Sequence, residues 1–309
     1  PRAASPSVDS DALAKSIAAA VAGAMASMPQ PSADLDEERI IELIQQYSAQ
    51  PAVITLEVRD SEGVRERLTG LQHKQTPEVL GWLLAGVNVW LAGPAGSGKT
   101  TMAEHCAKAL GLEFYATGAV QNEYKLTGFI DAEGRTVRTA FREAFEHGGL
   151  FLWDEIDSSS ANALVAFNQA LANDAFPFPD GMVKKHADFI AVAAANTFGM
   201  GATAEYSGRV RIDGATLDRF AQIEIEYDED LELELAAQIN PTEGRAWAQQ
   251  VQRYRRAARR LGLRVLITPR ASLKGADALR GPLTVDQVTR GLIRRGMDSA
   301  SWERLEAAV

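Results

Sequence analysis

The chain is predicted to be an α/β protein, with a parallel five-stranded sheet flanked by helices and a helical domain after it. Three observations carry that reading. Five short strand-like segments (87–92, 113–117, 150–153, 189–195 and 221–227) alternate with stretches of helical spacing, which is the pattern of a parallel sheet covered on both faces. The first segment runs directly into a glycine loop at 93–100, and a helical stretch follows the loop. After Tyr227 the pattern becomes wholly helical, over 228–239, 242–261, 269–279 and 284–308.

Taken in order, residues 1–35 are rich in Ala, Ser and Pro, and Pro29-Gln30-Pro31-Ser32 reads as a linker. Leu13, Ile17, Val21 and Met25 recur every four residues, the stripe of a weak helix or docking segment. Asp9 and Asp11 stand where a secretory leader carries positive charge, and the apolar run is too short to span a bilayer. A cytoplasmic protein without a membrane partner is therefore expected. Residues 36–75 read as an extension, with a helix over 36–47 and a strand over the alternating 53–59. Thr76-Pro77-Glu78 opens a helix that ends near Gly86 and begins the core, 76–227; the helical domain is 228–309.

Composition bounds the rest. The 309 residues are 46% hydrophobic, enough for one large or two modest cores. A net charge of −9 disfavours general nucleic-acid affinity. Cys106 is the single cysteine, so no disulfide forms within one chain, and the four histidines show no metal-ligand spacing.

The loop itself is the most specific feature. Gly93-Pro94-Ala95-Gly96-Ser97-Gly98-Lys99-Thr100 fits the phosphate-loop pattern at every fixed position, and Thr101 continues into the helix. Glycines let backbone N–H groups turn inward around phosphate oxygens, and the helix N-terminus adds the positive end of its dipole. Lys99 is expected at the β- and γ-phosphates of ATP, and the Thr100 hydroxyl on Mg²⁺. Downstream, the apolar strand 150–153 ends in Asp154-Glu155. Asp154 is expected to hold Mg²⁺ through its water shell, opposite Thr100, and Glu155 to polarise the attacking water. Asp157, a third acid, reads as solvated or capping. The strand 189–195 ends in Asn196, on its own an ordinary turn-former.

With these motifs the chain resembles the AAA+ ATPases, and the resemblance implies further roles. Asn196 matches the residue that helps orient the attacking water. Leu217-Asp218-Arg219-Phe220 matches the element whose arginine enters the neighbouring subunit's site, making Arg219 the candidate trans finger, with Arg209 and Arg211 as weaker candidates. Thr268-Pro269-Arg270-Ala271 looks like the second-sensor element, with Arg270 on the γ-phosphate of its own subunit and 228–309 as a lid. Thr197-Phe198-Gly199-Met200-Gly201, Tyr206-Ser207-Gly208 and Asp218-Arg219-Phe220 together look like the MoxR, CbbQ and CobS-like, dynein-related branch, and in pattern most like the cobalt chelatase ATPase subunit. That branch implies a ring, a hexamer by expectation, which remodels or activates a partner protein carrying a von Willebrand A-like domain. The alternative is a motor or translocase stimulated by nucleic acid. Two hairpins are expected, one turning at Glu133-Gly134 and one around Asp180-Gly181; in this branch such insertions face the pore or a rim. Arg253, Arg256 and Arg260 share one helical face, which by default is solvated.

Overall fold

The five predicted sheet segments are the five strands of one sheet in the computed structural model, which describes residues 54–60, 63–203 and 205–309. The readings of 1–35 and of a helix over 36–47 lie outside the described residues. Two antiparallel strands come first, β1 (Ile54–Asp60) and β2 (Gly63–Gly70), with a register shift between Val58 and Arg59. The sequence reading found only the first of them, because the charged Arg65-Glu66-Arg67 hides the alternation of the second. Then follow α1 (Thr76–Leu84), β3 (Val89–Ala92), α2 (Lys99–Ala109), β4 (Phe114–Thr117), α3 (Tyr124–Thr127), β5 (Phe129–Ile130), β6 (Thr136–Val137), α4 (Ala140–His147) and β7 (Gly149–Trp153). A 3₁₀ turn at Ile156–Ser158 leads to α5 (Ala161–Ala172), β8 (Ala175–Phe178), β9 (Gly181–Lys184), β10 (Phe189–Ala195), α6 (Gly214–Leu217) and β11 (Ala221–Glu224). The helices α7 (Glu229–Ile239), α8 (Gly244–Arg260), α9 (Pro269–Ala278), α10 (Val285–Leu292) and α11 (Ser299–Glu306) close the chain.

The main sheet has the order β11-β3-β10-β7-β4, and every pairing is parallel. Its strands alternate between two cores, as period-2 geometry requires. Trp90, Phe151, Trp153, Ala191 and Ala193 face one core, while Val89, Leu91, Leu150, Leu152 and Val192 face the other. The first core is aromatic. Phe141 of α4 stands 5.1 Å from Phe151 and 5.6 Å from Phe167, centroid to centroid, edge to face. The second is aliphatic and sits under α2, through Met102, Ala103, Cys106 and Ala107. Parallel strands all end on the same side, so the residues after β3, β7 and β10 meet along one sheet edge.

Both expected hairpins form. The first pairs Phe129 with Val137 around Glu133-Gly134. The second pairs Phe178 with Gly181, so its turn is Pro179-Asp180, one residue earlier than predicted. Arg142 holds that turn: Nη1 donates to Asp180 Oδ1 at 2.5 Å, and the guanidinium lies 4.4 Å from the Phe178 ring centroid.

The C-terminal helices gather around Trp247, Val251, Ala271 and Trp302 in a core of their own. One expectation is corrected there. The predicted single helix over 284–308 is two helices, α10 and α11. Gly296 turns the chain at φ 76°, and Asp298 caps α11 by accepting the Ser301 N–H at 2.8 Å.

Candidate active site

The loop after β3 is held against the sheet before it reaches the helix. Gly93 N–H donates to Ala195 O of β10 at 3.2 Å. A Cβ on Gly93 would stand 2.0 Å from Ile225 O, so only glycine allows this approach. Gly96 and Gly98 take φ of 80° and 89°, the left-handed turns that point successive N–H groups inward. Two tyrosines clamp the intervening peptide. Ala95 N–H donates to Tyr206 Oη at 3.0 Å, and Tyr227 Oη donates to Ala95 O at 2.9 Å. The sequence reading gave neither tyrosine a role at the loop, because a phenol that bonds a distant backbone leaves no local signature.

Lys99 opens α2 and is buried. Its Nζ donates to Gly93 O at 2.7 Å, to Pro94 O at 3.1 Å and to Asn196 Oδ1 at 3.3 Å. Burial brings its pKa down to about 8, against the opposing pull of the Asp154 and Asp157 carboxylates. The Thr100 hydroxyl donates to Asp154 Oδ2 at 2.9 Å. Both are hard oxygen donors of the kind Mg²⁺ takes, so the pair would suit that ion, bound directly or through water. A triphosphate fits as well: the Ser97 hydroxyl is buried without a partner, and the Lys99 ammonium is satisfied by its own loop's carbonyls until an anion is offered.

One cleft is lined by Ala95–Thr101 together with Asp154, Glu155, Asn196 and Arg270. The helical segment reaches it through Thr268, whose Cβ would lie 3.2 Å from a Cβ on Gly96, and through Arg270. A second, apolar cavity adjoins the loop between His73, Thr76, Met102, Leu231 and Leu273. Of the predicted site residues, Gly93 and Pro94 stand beside the cleft, where their carbonyls accept from Lys99 Nζ, and Arg219 stands outside it. That arginine is half-buried, does not line the cleft, and donates from Nη1 to Ala215 O at 2.5 Å. Arg211 is exposed and bridges to Met200 through its backbone.

Asp157 departs from its sequence reading. It is fully buried rather than solvated. Thr197 Oγ1 donates to its Oδ2 at 2.9 Å, and Arg209 Nη1 donates to its Oδ1 at 3.0 Å. The sequence showed only a third acid; burial comes from the 3₁₀ turn, which tucks the side chain under the end of β10. Of the basic face on α8, Arg253 is exposed, whereas Arg256 pairs with Glu229 at 2.8 Å and Arg260 donates to Ala308 O at 2.9 Å.

Parts of the chain are similar to known proteins. Residues 89–214 match the model of the ATPase family associated with various cellular activities (AAA). Over 91 residues the chain is 38% identical to the Lon protease of Frankia alni, covering 27% of this chain and 10% of that protein. The chain thus spans about a tenth of the length of the curated relatives it matches. NtrX from Brucella abortus, solved in complex with ATP, aligns at 14% identity with a TM-score of 0.51, over 94% of this chain and 72% of that chain. Thermotoga maritima RuvB, a Holliday junction branch migration motor, aligns at 17% identity with a TM-score of 0.46, over 77% of this chain and 70% of that one. The α/β fold, with its five-stranded parallel sheet between helices, is that of the AAA+ P-loop NTPases. Among the described residues no helix is long and apolar enough to cross a membrane.

Proposed function

We propose that this protein is an Mg-ATP-dependent ATPase that works as a ring, a hexamer by the motif resemblance to the MoxR and chelatase-like branch, and remodels or activates a partner protein. One observation carries the catalytic part. Lys99, Thr100, Asp154, Glu155, Asn196 and Arg270, drawn from four distant stretches of sequence, line a single cleft at the C-terminal edge of a parallel sheet. Thr100 and Asp154 would hold Mg²⁺, which supplies charge neutralisation to the phosphates when bound. Lys99 would exchange its carbonyl partners for phosphate oxygens. Glu155 accepts the proton of the attacking water, and Asn196 holds that water in line. Arg270 reads the terminal phosphate from the helical lid, so that loss of that phosphate changes the lid angle. Arg219 lies outside its own cleft, which suits a cation delivered to the adjoining copy.

The MoxR and chelatase-like motif pattern supports a protein partner with a von Willebrand A-like domain, reached by the two hairpins. These hairpins carry exposed apolar residues: Phe129, Ile130 and Met182. A net charge of −9 weighs against a nucleic-acid substrate. The deciding experiment uses Glu155→Gln, which is expected to bind ATP normally and to turn over at least about a hundredfold slower. Pull-down with that trapped form should recover protein and not nucleic acid. Wild-type turnover retained by Glu155→Gln would remove the proposed base, and recovery of DNA or RNA with salt-sensitive stimulation would replace the remodelling reading with a motor.

A further inference from the structure

The proposed base has a cation beside it that the mechanism above does not use. Arg209 belongs to the loop between β10 and α6, and its side chain is only 11% exposed. Nη1 donates to Asp157 Oδ1 at 3.0 Å and to the Ser158 hydroxyl. Nη2 stands 3.6 Å from Glu155 Oε1. The anchor beneath it is rigid: Asp157 is fully buried, accepts from Thr197 Oγ1 through its other oxygen, and accepts the Val210 N–H on its main-chain oxygen at 2.7 Å. The target above it is loose. The Glu155 side chain is 52% exposed, and among the described residues Arg209 is its only ion-pair partner.

We infer that Arg209 is a positioning residue, which aims the Glu155 carboxylate at the attacking water from within the same subunit; the inference rests on the assignment of Glu155 as the base. The distances suit that task. A separation of 3.6 Å is too long for a hydrogen bond, so the guanidinium attracts the carboxylate without occupying its lone pairs. Its charge is already shared with Asp157, so Glu155 is steered rather than neutralised. The same anchor reaches the second catalytic strand, since Thr197 follows Asn196 directly. Asp157 therefore ties the chain after β7 to the chain after β10, and Arg209 extends that tie to the base. An arginine whose donors are spent in this way is not free to enter a neighbour's site, which separates it from Arg219.

Arg209→Ala would leave a buried carboxylate unpaired and is expected to weaken the fold. Arg209→Lys is the informative variant, because one ammonium can pair with Asp157 but cannot also reach Glu155 in fixed geometry. We expect kcat to fall about tenfold or more, with KM for ATP and nucleotide affinity within about twofold of wild type. In single-turnover measurements on the Glu155→Gln background, Arg209→Lys should cost less than about twofold, because its effect runs through Glu155. If Arg209→Lys does not fold, the neutral pair Arg209→Gln with Asp157→Asn keeps the hydrogen bonds without a buried charge and should show the same kcat loss. A folded variant whose kcat is unchanged or raised overturns the inference, as do equal losses in both backgrounds. A wild type with no ATP turnover, or Glu155→Gln with full turnover, refutes the ATPase reading instead, and the wild-type control tells the two failures apart.

Discussion

At the scale of single residues, the cleft combines a strained carboxylate residue with a buried lysine. Glu155 has φ 52°, the only positive φ at a non-glycine position among the described residues. A left-handed turn at such a residue costs roughly 1–2 kcal/mol, and strain of this kind is kept where neighbouring structure enforces it. Asparagine visits that region readily, so Glu155→Asn should be no less stable than wild type in urea denaturation while losing turnover. A loss of more than about 1 kcal/mol would show that the conformation is not strained. Lys99 is the second case. Its pKa is about 8 in the fold against 10.5 for a free lysine, so the unfolded chain binds the extra proton between those values. The cost of burying the charge is therefore full below pH 8 and disappears as pH rises toward 10.5. An anion needs the protonated form. ATP affinity should fall by about twofold between pH 7 and 8 and then weaken further, approaching about tenfold per pH unit. A flat profile to pH 9.5 would show that Lys99 keeps its proton. Burial also pushes the Cys106 thiol up to about 12, so slow labelling by thiol reagents in the native state is expected.

At the scale of elements, buried ion pairs join what helical periodicity alone cannot. Glu232 of α7 is nearly inaccessible, and it accepts from Arg255 Nη1 at 2.8 Å, from Nη2 at 2.6 Å, and from the Ser272 hydroxyl of α9. Three helices of the C-terminal segment thus share one carboxylate. Arg255 also donates from Nε to Ile267 O at 2.9 Å and lies 4.6 Å from the Tyr227 ring centroid, next to the clamp on Ala95. Arg255→Ala should lose about 3–5 kcal/mol in thermal or urea unfolding, because Glu232 would be left charged and unpaired. Replacing both residues by Met and Leu should cost far less. If the single substitution is as mild as the double, the pair does not hold the helices together. The sequence of α8 offers arginines at 253, 255, 256, 259 and 260; which of them turns inward is decided by the facing helices.

At the scale of the whole molecule, a shared site is the part of the proposal most open to test. The cleft holds its phosphate loop, acids, polar amide and Arg270 within one chain, and leaves Arg219 outside. Arg219→Ala is expected to bind ATP normally and to hydrolyse it at least about a hundredfold slower. Mixing it with Glu155→Gln subunits should restore part of the turnover, because an intact Glu155 can then meet an intact Arg219 across a subunit boundary. Absence of rescue in mixed assemblies would refute the shared site.

Local chemistry alone determined a good deal of this protein. Five strand segments, the glycine loop, the acids after β7, Asn196 and both hairpins were legible because each is a short-range pattern: alternation, a fixed spacing or a turn pair. The parallel sheet followed, since helices between strands permit little else. What tertiary structure decided is where distant polar groups close on one another. Asp157 looked like a surface acid and is a buried anchor. Arg209 looked like a second-rank finger and lies beside Glu155 of its own chain, while Tyr206 and Tyr227 reach a peptide more than a hundred residues away. The physical reason is the same in each case: a polar side chain taken out of water must find a partner, and the identity of that partner depends on which strand ends the fold sets side by side.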